Sequence, residues 1–453
     1  MKVLVTGASG FVGGALIKYL LNSTDHEVVA LTRSGFGIQH PRLENRLGDL
    51  FSLEQTYEAL KGIDIAFYLI HSMLPTAGLD QGDFEDYDAI LADNFQRAAR
   101  DNHLKKIIYL GGLQPTLHVS SRHLNSRFEV ESILARSQVP LVCFRAGMVL
   151  GAGGSSFTIM LRLVKRLPVM VCPGWTKTLT QPVDLDDLVV SLTKESLVLN
   201  HQEKNKVIDI GFPNSMTYLE MLKMTAEELN LKRYFLKVPF FSPGFSRLWV
   251  TLLTGAPKAL VAPLVDSLKY PMILQSENKM TVGDFKTSLK KALMSPHQAV
   301  RAFRKNKTQK IKSVRSVQRL VIPLGMIAKQ IGDEYFSWLP RFFSSFIQVN
   351  LKGDECVFYI PILNLKLLIL RNVSYQSHEN ISQLKIVGGL LAKKNQKGWL
   401  EFREVIPGLV ALSAIHDFTP ALPWFIYRLT QAPFHLFVMN AFKKYLYKRK
   451  DEL

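Results

Sequence analysis

The run Val5-Thr6-Gly7-Ala8-Ser9-Gly10-Phe11-Val12-Gly13-Gly14 has the spacing with which a polypeptide can hold a diphosphate. Gly7 permits a tight turn, Gly10 lets the backbone approach phosphate oxygens, and Gly13 lets the following helix lie close to the preceding strand. The helix N-terminus offers unpaired N–H groups and the positive end of the helix dipole. A short apolar run, Lys2–Val5, precedes the turn, and Leu16, Ile17, Leu20 and Leu21 follow it at helical spacing. Strand, glycine turn and helix form the context of a dinucleotide site. Its candidate contacts are Thr6, Gly7, Ser9, Gly10, Phe11, Val12 and Gly13. A glycine turn without a ligand is the plainer reading.

The residues after the second apolar run bear on which nucleotide is taken. An acidic side chain there would accept hydrogen bonds from an adenosine ribose and repel a 2′-phosphate. This chain has Leu31-Thr32-Arg33-Ser34 instead. The Arg33 guanidinium can pair with a phosphate dianion, and the Thr32 and Ser34 hydroxyls can donate to it. The pattern favours NADP(H) over NAD(H). A solvated loop charge is the plainer role for Arg33.

These residues need a scaffold. Apolar runs at Lys2–Val5, Glu27–Leu31, Ile65–Leu69, Lys106–Leu110 and Leu141–Arg145 alternate with helical patterns at Phe11–Leu21, Leu53–Leu60, Phe84–Asp101 and Arg122–Ser137. The alternation predicts an α/β fold with a Rossmann-like, doubly wound parallel sheet and a ligand beyond the carboxyl ends of its strands. Residues 1–240 read as the NAD(P)-binding domain and 241–295 as a helical, apolar substrate lobe. Within that lobe Gly255, Pro257 and Pro263 interrupt Leu248–Val265, which favours two short helices over a membrane span. A basic linker is expected at 296–315. Residues 316–453 read as an α+β domain, with strand-like stretches at Leu351–Ile369, Ser382–Leu391 and Trp399–Ala414 before a helical end at Trp424–Tyr447.

The 453 residues are 47% hydrophobic and 21% charged, the balance of a folded chain of more than one domain. Cys143, Cys172 and Cys356 have neither pairing nor metal-ligand spacing, so a reducing compartment and no metal site are expected. Met1 leads directly into the first strand, which leaves no room for a signal peptide. The terminal Lys450-Asp451-Glu452-Leu453 therefore reads as a chance match to an endoplasmic-reticulum retention signal, and a cytoplasmic location is expected. The net charge of +18 gathers between Arg301 and Arg319 and again between Lys443 and Lys450. Solvated faces account for such runs most simply. Peripheral contact with the anionic inner face of a membrane is the next reading, and nucleic acid is disfavoured because no recognition motif accompanies the charge.

Several phrases resemble a known family. Residues 1–290 resemble the extended and atypical short-chain dehydrogenase/reductase superfamily on its NmrA-like side, through Tyr68–Met73, Asp83–Asp86, Ile107–Leu113, Arg127–Glu131, Gly151–Phe157, Leu167–Met170 and Gln181–Asp184. Trp338–Phe342, Leu400–Glu404, Ile415–Phe418 and Gln431–His435 extend the resemblance to a bacterial family that joins such a domain to a C-terminal domain of unknown function. The resemblance implies a fold and a nicotinamide cofactor, and it puts Asp49 and Leu50 where the adenine edge is held. In that superfamily a tyrosine passes a proton while hydride moves, and a lysine four residues on lowers its pKa and binds ribose. Matching Glu131 to the glutamate that follows this motif puts His123 at the tyrosine position and Arg127 at the lysine position. Gly111-Gly112 stand where active relatives carry serine or threonine.

Candidate catalytic residues are accordingly His123, Arg127, His71 and Ser72, with ordinary loop or helix roles as the plainer reading. The C-terminal domain weakly resembles helix-grip folds, which bind hydrophobic ligands between a curved sheet and a long helix. Trp338, Phe342, Phe343, Phe346, Trp399, Trp424, Phe425 and Phe434 would line such a cavity or simply form core. His416, Asp417 and His435 are too few for a metal. The leading expectation is an NADP(H)-binding oxidoreductase acting on an apolar or lipid-like substrate. A catalytically silent NAD(P) sensor or assembly protein and a lipid carrier stay open.

Overall fold

In the computed structural model residues 1–73, 78–115, 121–198, 205–238, 243–294, 313–372, 380–394 and 397–451 are described. The chain divides into two compact units, one comprising Met1–Met73 and Leu91–Asn306, the other Leu74–Ile90 and Lys307–Leu453.

The first unit opens with β1 (Lys2–Val5), α1 (Phe11–Ser23), β2 (Glu27–Thr32), β3 (Leu43–Leu47), α2 (Leu53–Leu60) and β4 (Ile65–Tyr68). Next along the chain come β5 (Leu79–Gln81), which belongs to the second unit, and α3 (Phe84–Asp101). β6 (Lys106–Gly112), α4 (Arg122–Leu134), β7 (Leu141–Ala146), β8 (Val149–Leu150) and α5 (Ser155–Arg166) follow. The unit continues through β9 (Val169–Cys172), β10 (Leu179–Thr180), β11 (Val183–Asp184), α6 (Leu185–Leu197), β12 (Lys206–Gly211), β13 (Met216–Thr217), α7 (Tyr218–Glu228) and β14 (Tyr234–Lys237). It closes with α8 (Pro243–Thr254), α9 (Lys258–Ser267), β15 (Lys279–Thr281) and α10 (Phe285–Leu293).

Its main sheet has the order β15-β12-β7-β6-β4-β1-β2-β3, and every neighbouring pair is parallel. The central strands are continuous apolar runs because both faces are covered: Val3, Leu4, Val5, Ile65, Ala66 and Phe67 are fully buried. From β1 the chain moves outward to β2 and β3, then returns to β4 on the other side. This reversal opens a crevice beyond the carboxyl ends of β1 and β4. The expected Rossmann-like α/β fold is present.

Details differ from the sequence reading where pairing is non-local. β3 is a polar edge strand with an exposed Leu47, so no apolar run announces it. Residues 241–295 are not helical throughout: after α8 and α9, β15 joins the edge of the main sheet beside β12. Residues 295–312, most of the expected basic linker, lie outside the described residues, as do Glu452 and Leu453. Arg315 and Arg319 are strand residues, bonded to Asp417 at 3.0 Å and to Asp86 at 2.7 Å.

The second unit contains β16 (Val314–Val321), α11 (Ala328–Phe342), β17 (Gln348–Lys352), β18 (Glu355–Ile360), β19 (Leu365–Asn372), β20 (Ile381–Gly388), β21 (Trp399–Ile406) and β22 (Val410–Phe418). Two helices end it, α12 (Trp424–Leu429) and α13 (Gln431–Asp451). Strands β17 to β22 form an antiparallel meander, β16 pairs antiparallel with β22, and β5 adds parallel to β16. The expected single final helix breaks at Thr430 (φ −121°, ψ −75°), with Pro433 tolerated in the first turn beyond.

Alternation along β21 sorts its side chains. Leu400 and Phe402 enter a core with Tyr335, Phe336, Phe442 and Leu446 of α11 and α13. Trp399, Glu401 and Arg403 take the other face. There Glu401 accepts hydrogen bonds from Arg403 at 3.1 Å and Trp399 at 3.3 Å, and its other oxygen lies 3.1 Å from His416 Nε2. Burial alone would raise this carboxyl, but Arg403 and His416 outweigh it and hold Glu401 at about 2.

Candidate functional site

Thr6 ties the two strand ends that flank the crevice. Its amide and hydroxyl donate to the Phe67 carbonyl, both at 3.0 Å, and the hydroxyl accepts the Leu69 amide at 2.9 Å. Gly7 follows at φ +62°, where L side chains are disfavoured. The Gly10 amide donates to the Gly7 carbonyl at 2.8 Å and closes the turn. A Cβ at Gly13 would stand 2.3 Å from that carbonyl oxygen, so glycine alone permits the contact. Gly10 is the N-cap of α1 and has no side chain with which to cap the helix. A cradle that a Cβ would fill, topped by an uncapped helix N-terminus, fits a diphosphate. Ser9 is exposed beside it, and Phe11 and Val12 are half-buried.

Arg33 and Ser34 are exposed at the carboxyl end of β2. The Thr32 hydroxyl accepts the Gly35 amide at 2.9 Å and keeps its own proton to donate. Asp49 is half-buried in the β3–α2 loop, one carboxylate oxygen accepting the Phe51 amide at 3.1 Å. Leu50 is buried, and its carbonyl accepts from Asn94 at 2.7 Å. These residues therefore occupy the loops after β2 and β3, on the same side of β1.

Across the switch point, after β4, lies the second group. Arg127 is buried on α4 and donates to the Ile70 carbonyl at 3.3 Å and to His71 Nδ1 at 2.7 Å. A guanidinium has no acceptor, so His71 Nδ1 accepts and the proton of the neutral ring sits on Nε2. The His71 and His123 rings are 5.0 Å apart at 31°. Ser72, next to His71 in the chain, is half-buried. Ser121 caps α4 by accepting the Leu124 amide at 3.2 Å, and its hydroxyl meets that of Ser267 on α9 at 2.7 Å. Glu131, one turn past Arg127, takes a two-point bond from Arg145 of β7 at 2.6 and 2.9 Å. These ties fix the helix that presents His123 and Arg127. The Tyr109 hydroxyl donates to the Arg127 carbonyl at 3.1 Å, alongside the side-chain-free Gly111-Gly112.

A cavity of about 320 Å³ opens from this point. Val12 of the glycine turn and His123 of α4 share its wall, while Met148, Trp175, Tyr218 and Val261 make it apolar. This volume falls in the range of small-molecule pockets. The sequence reading passed over Met148, Trp175 and Tyr218, because they are scattered along the chain and meet only in the folded unit. Burial raises the Tyr218 phenol to about 12, against the opposing effect of the neighbouring Thr180 hydroxyl. Among the described residues no group of His, Cys, Asp and Glu could hold a metal ion, and no helix is long and apolar enough to cross a membrane.

A family model described as NAD(P)H-binding matches residues 7–138, from the glycine turn to four residues past α4. This part of the chain is an NAD(P)-binding domain. Auxiliary protein GraX of Staphylococcus aureus is 34% identical over 113 residues, 24% of this chain and 36% of that protein. N-acetyl-gamma-glutamyl-phosphate reductase of Thermobifida fusca is 43% identical over 84 residues, 17% of this chain and 24% of that one. The matches thus span about a third and a quarter of those two relatives. Among solved structures, Citrobacter sp. triphenylmethane reductase complexed with NADP(H) is similar at 16% identity and a TM-score of 0.49, covering 64% of this chain and 100% of that one. A nucleoside-diphosphate-sugar epimerase from S. aureus is similar at 15% identity and a TM-score of 0.48, covering 67% and 100%. Similarity this remote assigns no activity.

Proposed function

We propose that this protein is an NADP(H)-dependent oxidoreductase of the atypical short-chain dehydrogenase/reductase type that acts on an apolar carbonyl compound. The observation that carries the reading is the shared wall: one apolar cavity is bounded by Val12 of the phosphate turn and by His123. The amides that open α1 would hold the pyrophosphate, Arg33 with Thr32 and Ser34 the 2′-phosphate, and Asp49 and Leu50 the adenine edge. When bound, the nicotinamide supplies a hydride.

The chain's own part is to position and to move a proton. Arg127 orients His71 and fixes its tautomer, and the ring contact between His71 and His123 keeps the second imidazole at the cavity wall. Imidazole exchanges protons near neutral pH, which suits His123 as the donor to a carbonyl oxygen. The apolar lining excludes water from that point. NADPH oxidation with a panel of apolar aldehydes and ketones tests this, with His123→Phe as the control. Tight NADPH binding without turnover on any of them would favour the silent sensor, to which the bare Gly111-Gly112 already lends support.

A peripheral membrane role belongs to the same proposal. Phe342 and Phe437 (rings 6.0 Å apart) and Phe343 and Phe434 (5.7 Å) form an aromatic cluster on the second unit, and three of the four are exposed. Exposed Lys443, Lys444 and Lys448 follow on α13. Exposed rings beside cations suit an anionic bilayer surface.

A further inference from the structure

The second unit encloses a cavity of its own, about 180 Å³, between the meander and α13. Leu339, Phe358, Ile386, Leu400 and Met439 make most of its wall apolar, and among the described residues no Asp, Glu, Lys or Arg lines it. Two amide side chains interrupt that wall, Gln81 of β5 and Gln431 at the start of α13. Gln81 Nε2 donates to the Ala432 carbonyl at 2.9 Å, which sets the orientation of its amide. The Oε1 atoms of Gln81 and Gln431 are both buried without a hydrogen-bond partner among the described residues. Buried acceptors left unmade are costly and call for a donor. Ser316, Tyr335, Tyr427 and His435 bring the other polar side chains of the wall. Burial lowers the His435 imidazole to about 4, so the ring adds no charge near neutral pH.

We propose that this cavity is a ligand site for a neutral apolar molecule bearing one hydroxyl or N–H donor, which binds to the Gln81 and Gln431 carbonyl oxygens. A carboxylate would face the two glutamine acceptors and, among the described residues, no cation. Size supports one ring or a short chain, since an apolar cavity of about 150 Å³ accepts benzene. Phe343 and Phe434 line the cavity, and Phe434 is also half-exposed, so the wall reaches the surface at the aromatic cluster. The proposal is independent of the nucleotide site.

Calorimetry on the full-length protein with 1-octanol and with octanoate as probes tests it. Saturable 1:1 binding of 1-octanol is expected, with octanoate at least about 10-fold weaker. Gln431→Leu removes one acceptor and should weaken 1-octanol about 5- to 10-fold, the worth of one hydrogen bond. NADPH affinity of the same variant should not change, and its melting temperature should not fall. Val438→Phe, which narrows the cavity and leaves both glutamines in place, should also weaken the alcohol. The inference is overturned by absence of saturable alcohol binding, by octanoate binding as tightly, or by unchanged affinity in Gln431→Leu. It is equally overturned if alcohol binding survives both variants and is lost with Met160→Trp in the cavity of the first unit.

Discussion

Gly13→Ala puts the phosphate turn to its most direct test. The added methyl would meet three backbone atoms of the turn: the Gly7 oxygen at 2.3 Å, the Gly7 carbon at 2.9 Å and the Ala8 Cα at 3.2 Å. No flexible side chain is there to yield, so α1 or the turn must shift by several tenths of an ångström. Overpacking of this kind costs about 1–3 kcal/mol. Alanine's better helix propensity returns up to about 1 kcal/mol, less in the first turn. A net loss of about 1–2 kcal/mol follows, which lowers the melting temperature by about 2–8 °C in a domain of this size. The shift also moves the Gly7–Gly10 closure and the amides that face the diphosphate, so NADPH affinity should fall at least about 10-fold. Thermal melts with and without NADPH, together with a fluorescence titration of NADPH, read both effects. A variant that keeps wild-type melting and wild-type NADPH affinity would refute the account of this turn.

Further expectations concern separate parts of the molecule. Arg33→Asp should weaken NADPH about 10- to 100-fold and hold NADH at least as tightly as before, since the carboxylate repels a 2′-phosphate and accepts from a ribose hydroxyl; equal losses for both nucleotides would remove Arg33 from the 2′-phosphate. His123→Phe should lower kcat with a competent carbonyl about 10²- to 10⁴-fold at constant NADPH affinity, and a kcat within twofold of wild type would exclude it as the proton donor. Glu401 sits at about 2 in the folded chain, below its ordinary value of 4.5. Its contribution to stability is therefore present above pH 4.5 and is lost as pH falls toward 2. The stability gap between wild type and Glu401→Gln, on the order of 3 kcal/mol at neutral pH, should close over that window in urea melts. Replacing Phe434 and Phe437 together by serine should abolish co-sedimentation with anionic vesicles, and binding that persists but vanishes in high salt would leave the lysines as the whole attraction.

Much of the first unit was legible because its signals are local. β1, β4, β6 and β7 are apolar runs bounded by turn residues, and α1 shows its buried face at Leu16, Ile17, Leu20 and Leu21. The glycine spacing announced the tight turn at Gly7 and the close approach at Gly13. The site around His71 was harder to read. His71, His123 and Arg127 emerged from a resemblance and from matching Glu131, whereas their spacing in the chain says nothing of a 2.7 Å bond. β3 and β15 escaped notice because edge strands are short and half-polar, which blurs the alternation that marks a strand.

What local pattern determined was the class of the first fold, the glycine turn between β1 and α1 and the cation placed at Arg33. Each depends on neighbours within a few residues, through the strand period of two, the helix period near 3.6 and the φ freedom of glycine. Tertiary structure alone decided that Leu79–Gln81 pairs with β16 and delivers Gln81 to the second cavity, across 237 residues to Gln318 and 351 to Ala432. It alone also gathered Val12, His123, Trp175 and Tyr218 around one space. Such encounters are selected by burial of whole faces and by hydrogen bonds that must close somewhere. No short window of sequence contains both partners.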